Sequence, residues 1–113
     1  MGKITYSERA EVYRAALDTY KSEIQLIVAV EELSELQKEL CKVLRGEGNS
    51  EALAEEMADV TIMMEQLRLL LDMDERIGEV MDRKIMRLSR NVESAYIGGG
   101  VWAPRPTEKK SQI

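Results

Sequence analysis

Two stretches without a single glycine or proline, Lys3 to Arg45 and Asn49 to Ile77, take up most of this chain and leave it little choice but to be helical. Leu, Met, Glu, Ala, Lys and Arg predominate in both. These residues lose little side-chain freedom in a helix. The predicted fold is therefore all-α, with four helices. The first is expected to start after Ser7 and carries Val12, Tyr13, Ala16, Leu17 and Tyr20 at helical spacing. Ser22 and Gln25 have the spacing of a capping box, which places a break there. A second helix should run from about Glu23 to Arg45 and stop at Gly46 and Gly48. Ser50 suits the N-cap of a third reaching about Asp72, and Asp74 the cap of a fourth reaching about Ser94. After Tyr96 come Gly98, Gly99, Gly100, Pro104 and Pro106. Residues 1–96 thus read as one helical domain and 97–113 as a tail without regular structure. Trp102 complicates that tail: a large aromatic there suggests docking across a neighbouring subunit or over a site.

Helices two and three are apolar around more than one stripe. Ile24, Leu26, Ile27, Val28, Ala29 and Val30 are nearly continuous, as are Met57, Ala58, Val60, Ile62, Met63 and Met64. A surface helix of a monomer shows one apolar face, and a chain of 113 residues buries only a modest share of its surface alone. Another copy of the chain, packed as a helical bundle, is the simplest cover.

Composition narrows the chemistry. The net charge of -5 and pI near 4.9 argue against a nucleic-acid polymer as partner. The lone cysteine, Cys41, cannot form an intrachain disulfide and reads as a packing residue. No apolar run is long enough for a bilayer, and the N-terminus lacks the apolar core of a signal peptide, so the expected location is cytoplasmic, with no membrane partner. Histidine is absent, which removes imidazole as base or ligand. Catalysis here has to lean on carboxylates, a metal, or both.

The acids inside the apolar helices supply a candidate. With Leu33 as the centre of a stripe and about 100 degrees per residue, Glu32 falls at the margin, Glu35 and Glu39 lie beyond it, and Gln25 sits on the side of Glu32. On the third helix Glu56 lies only about 40 degrees from Val60, and Asp59 about 100 degrees. Glu56 is therefore expected to be largely buried. Two carboxylates about 5 Å apart repel by roughly 3 kcal/mol at an effective dielectric near 20. Glu32, Glu35, Glu56 and Asp59 converging from two antiparallel helices need a cation, and an all-oxygen set favours magnesium, with manganese as substitute. Solvated acidic faces on a helical adaptor that recruits a protein partner are the alternative.

Glu31-Glu32-Leu33-Ser34-Glu35 followed by Glu56-Met57-Ala58-Asp59 resembles the EExxE and ExxD pair of the MazG-like, all-α nucleoside triphosphate pyrophosphohydrolases. The similarity extends to the run Gln25 to Val30, to Glu35-Leu36 and to Val60-Thr61-Ile62-Met63, over roughly Tyr20 to Asn91. It implies a four-helix, MazG-like bundle in a homodimer or homotetramer. The implied reaction is magnesium-dependent hydrolysis of a nucleoside or deoxynucleoside triphosphate to the monophosphate and pyrophosphate, in nucleotide-pool cleaning. A dUTP, dCTP or non-canonical substrate would fit.

By the same resemblance Glu32, Glu35, Glu56 and Asp59 match the metal ligands, and Glu31 the first acid of the motif. For the general base the choice lies between Glu35 and Glu31, which spacing does not separate. Lys84, Arg87 and Asn91 flank the Ile77, Met81 and Leu88 seam of the fourth helix and resemble the family's basic segment. An ordinary cationic helix end reads the same way. Gln25 faces a nucleotide or makes an interhelical hydrogen bond. Where the family often has a tryptophan ahead of the acids, this chain offers Tyr20.

Overall fold

The computed structural model describes residues 2–97, and every described element is an α-helix: α1 (Tyr6–Thr19), α2 (Ser22–Leu44), α3 (Ser50–Leu70) and α4 (Asp74–Ile97). The tail from residue 98 on, Trp102 included, lies outside the described residues. The described helices fall into two compact units, α1 to α3 in the first and α4 in the second.

In the first unit α3 packs against both α1 and α2. Its core is small: Ala10, Tyr13, Ala29, Leu53 and Met63 are buried, with Gln25, Glu39 and Gln66 among them. α2 meets α3 through a stripe that repeats every seven residues, Gln25, Glu32 and Glu39 alternating with Ala29, Leu36 and Val43, all buried or half-buried. This corrects the stripe centred on Leu33, which is 46% exposed. The covered face of α2 is turned by about 100 degrees from that expectation, one residue's rotation. It brings Glu39, expected beyond the apolar margin, to the inside. On α3 the covered stripe runs Leu53, Glu56, Val60, Met63, Leu67 and Leu70, with Val60 in it as expected.

α1 lies on α3 through Ala10 and Tyr13. The Tyr13 hydroxyl donates to Glu65 Oε1 at 3.0 Å, and Arg9 pairs with Glu65 Oε2 at 3.2 Å.

Several junctions differ from expectation. α1 starts at Tyr6, because Thr5 caps it: the Glu8 amide donates to Thr5 Oγ1 at 3.1 Å, and that hydroxyl donates to Glu8 Oε1 at 3.0 Å. Ser22 does not cap α2. It is the first helical residue, Lys21 precedes it without a side-chain cap, and Gln25 is buried rather than reaching back. Asn49, not Ser50, caps α3, accepting from the Ala52 amide at 2.9 Å. Cys41 is exposed, not a packing residue.

α2 ends where Gly46 adopts φ 76°, with the Gly46 amide on Val43 O at 3.0 Å and the Glu47 amide on Lys42 O at 2.8 Å. That bond pair is a Schellman motif, which needs a left-handed residue. α3 ends the same way, but the left-handed residue is Asp72, φ 54°, with its amide on Leu69 O at 3.1 Å and the Met73 amide on Arg68 O at 2.9 Å.

α4, in the second unit, begins at Asp74 and runs three residues past Ser94, to Ile97. It is strongly amphipathic, with its i,i+3 ion pair Arg76–Glu79 at 3.7 Å. Among the described residues no helix is long and apolar enough to cross a membrane.

Candidate functional site

α2 and α3 are joined by only five residues, 45–49, and run antiparallel, so residues climbing α2 meet residues descending α3. Glu32 comes from the middle of α2, Glu56 and Asp59 from the second and third turns of α3. One carboxylate oxygen from each of the three lies within 4.8 Å of the others. Glu32 and Glu56 are half-buried and Asp59 is exposed, so the group opens to solvent on the Asp59 side. Glu56 was expected largely buried; the residue is half-covered, but its Oε2 is fully buried and accepts no hydrogen bond.

The electrostatics follow from that crowding. Desolvation is the first cause holding the Glu32 carboxyl above its usual value, followed by the charges of Asp59 and Glu56, a hydrogen bond with Asp59 and the charge of Glu35. Desolvation likewise leads for Glu56, then Asp59, Glu35, Glu39 and Glu55. Among the described residues no Lys or Arg pairs with Glu32, Glu56 or Asp59. Glu39 differs: it is buried, yet Lys42 answers it at 3.2 Å. Glu65 is doubly partnered. The acids that close the fold have cations or outside donors, whereas among the described residues the three that converge have no cation and share only the hydrogen bond between Glu32 and Asp59.

A buried, orphaned carboxylate oxygen beside two more carboxylates is a donor set suited to a hard divalent cation. Glu32, Glu56 and Asp59 fit such an ion by oxygen count, charge and mutual approach.

The remaining expected residues fall into separate places. Glu35 is exposed and outside the converging three, though its charge reaches Glu32 and Glu56. Glu31 is exposed and belongs to no such group. Gln25 is buried two turns before Glu32 and lines a cavity of about 250 Å³ with Gln66 and Tyr20. Lys84 and Arg87 are exposed on α4, where with Arg83 and Arg90 they line a cavity of about 200 Å³. Asn91 is exposed on the same helix but is not part of that lining.

Sequence reasoning missed Glu39 and Gln66. The signal for both was the seven-residue spacing that links Glu39 to Glu32 on α2 and Gln66 to Asp59 on α3. Comparison of the chain with family models, with curated proteins and with solved structures finds no match.

Proposed function

We propose that this chain is a divalent-cation-dependent nucleoside triphosphate pyrophosphohydrolase whose ion is held by Glu32, Glu56 and Asp59. The observation that carries the reading is the convergence of those three carboxylates around the unpartnered Glu56 Oε2. Three acids with one oxygen of each within 4.8 Å of the others, and with no Lys or Arg paired to them among the described residues, would gain from a positive guest, which supports the reading. The resemblance of Glu31-Glu32-x-x-Glu35 and Glu56-x-x-Asp59 to the MazG-like motifs supports the same conclusion.

Magnesium bound there would neutralise phosphate charge and lower the pKa of a nearby water. The residues do the rest. Glu32 and Glu56 enter half-desolvated and already crowded, so they gain more from a cation than solvated acids would. Asp59, on the open side, faces the solvent from which a triphosphate arrives. Glu35, close enough to feel the cluster but outside it, is the acid best placed to take the proton of the attacking water, with Glu31 next. Attack on the α phosphorus breaks its bond to the bridging oxygen and releases pyrophosphate. Lys84, Arg87 and Asn91, on the second unit, are offered as phosphate contacts by the resemblance alone.

The proposed enzyme is a homo-oligomer. α2 carries a second heptad-spaced stripe, Leu26, Val30, Leu33, Leu40 and Leu44, and each of these residues is at least 42% exposed in the single chain. That stripe also suits an adaptor that binds a different protein.

One experiment separates the readings. Pyrophosphate release is measured across canonical and modified triphosphates for the wild type, Glu56→Gln and Asp59→Asn. Each variant should lose at least about 100-fold, more than loss of an outer-shell partner costs. Equal rates in all three proteins would remove the hydrolase reading.

A further inference from the structure

Leu26, Val30, Leu33, Gln37, Leu40 and Leu44 follow one another along α2 at alternating steps of four and three residues. That alternation is the a/d pattern of a two-stranded coiled coil, interrupted by one polar residue near its middle. All six are exposed in the single chain, Leu44 to 87%. The seam lies about 100 degrees round α2 from the face that α3 covers. α3 carries a matching flank, Met57, Met64 and Leu71 at seven-residue spacing, with Met57 52% and Leu71 49% exposed. Because α3 runs against α2, its right-handed turn brings this flank round to the side on which the α2 seam lies.

We propose that this side takes a second copy of the chain, with α2 antiparallel on α2 across a two-fold axis at Glu35, so that two α2 and two α3 helices form a four-helix bundle. The proposal rests on the homo-oligomer reading above for its occupant and adds the face, direction and register. It needs neither the ion nor the hydrolysis.

The register follows from the seam. An axis at Glu35 sets Leu26 opposite Leu44 of the second copy, Val30 opposite Leu40 and Leu33 opposite Gln37, each an a position against a d position. The two Gln37 side chains then lie two residues either side of the axis, about 6 Å apart along it, where their amides can bond to each other. A shift by one heptad would leave each amide among leucines without that partner.

Charge gives the direction. Antiparallel packing sets the exposed Glu31 of each copy level with the exposed Lys38 of the other, and the positive end of one helix beside the negative end of its mate. Parallel packing would instead place Glu31 level with Glu31, Lys38 level with Lys38, and helix ends of like sign together. It would also carry the two α3 helices to opposite sides of the α2 pair and leave Met57 in water. The antiparallel two-fold keeps both α3 helices on one side, where their Met57 flanks turn toward each other.

Thiol bridging reads face, direction and register at once. The exposed Cys41 is removed as Cys41→Ser, and Val30→Cys and Leu40→Cys are added to that background singly and together. Each protein, its helix content checked by circular dichroism, is treated with dibromobimane in EDTA without triphosphate. In the proposed pair Val30 faces Leu40 of the second copy, whereas Val30 and its own mate are about 15 Å apart along the axis, as are Leu40 and its mate. The chain with both cysteines should therefore give at least about 10-fold more covalent dimer than either single-cysteine chain, since thiols that far apart cannot be bridged.

A single-cysteine chain that links as well as the double one would overturn the antiparallel register. No covalent dimer from the double one, the outcome for a seam that takes a different protein, would overturn the pairing. Wild type that sediments as one chain at every concentration does the same without any variant. Because no ion or triphosphate enters, failure here is distinct from failure of the hydrolase: a bridged dimer without pyrophosphate release keeps the pairing alone, and pyrophosphate release without a bridged dimer keeps the hydrolase alone.

Discussion

Glu56 and Glu65 stand on the same helix and meet two different fates. Glu65 receives the Tyr13 hydroxyl and the Arg9 guanidinium and so ties α1 to α3. Removing that hydroxyl in Tyr13→Phe should cost about 1 kcal/mol, read from urea midpoints at neutral pH. Burial first, then the Glu65 hydrogen bond and charge, raise the Tyr13 pKa above 10.0. The folded state therefore keeps the phenol proton after the unfolded chain has lost it. The contribution is intact below about pH 10 and declines as pH rises through the raised value. Wild type should lose stability faster than Tyr13→Phe across that window.

Glu32 and Glu56 titrate in the opposite part of the scale with the same sign. Their folded pKa values lie above 4.5, so in chelator-treated protein their contribution falls as pH climbs from about 4.5 through the raised values. Magnesium should flatten that slope. At 100 times its dissociation constant, it should also stabilise the fold by about 2.7 kcal/mol. Urea midpoints from pH 4 to 7, with EDTA and with magnesium, check both, and identical curves would count against an ion at this place.

The spacing of Glu32, Glu56 and Asp59 made those residues legible in the sequence. Glu39 and Gln66 were not, because polar letters are scored as outward-facing unless the true centre of the stripe is known.

At the scale of elements, the Gly46 stop was readable from glycine placement, whereas the α1/α2 and α3/α4 breaks fall inside stretches without glycine or proline and were placed by the cap-forming types Ser22 and Asp74. The starts were harder. Thr5 and Ser7 are both cap-forming types near the start of α1, and only the reciprocal bonds between Thr5 and Glu8 decide between them. Asn49 and Ser50 both suit an N-cap, and the Asn carbonyl wins.

The matched ends of α2 and α3 give a comparison within one molecule. Gly46 occupies its left-handed conformation without penalty, whereas Asp72 has a Cβ in the same region. Asp72→Gly should raise stability by about 0.5 kcal/mol, and Gly46→Ala should lower it by about 1 kcal/mol. Thermal midpoints of the two variants provide the check.

For the whole molecule, the sequence announced more apolar surface than one chain can cover, and Leu26, Val30, Leu33, Leu40 and Leu44 remain exposed along one side of α2. Which stripe faces α3 was not legible, since both have helical period and the more apolar of the two is the one left outside. Packing of Ala29, Leu53 and Met63 settles it, a matter of shape that hydropathy does not encode. Charging the outer stripe in Leu33→Glu with Leu40→Glu should lower the sedimenting mass to that of one chain while helix content by circular dichroism holds. An unchanged mass would refute assembly through this side.

α2 thus has two clients, the acids turned toward α3 and the greasy ridge turned away. If a second copy covers the ridge and the acids hold magnesium, as proposed, a rod clasped on both flanks cannot tilt to accommodate one without disturbing the other. Dilution should then slacken the grip on magnesium and reconcentration restore it, and an affinity that does not change with protein concentration would refute the coupling.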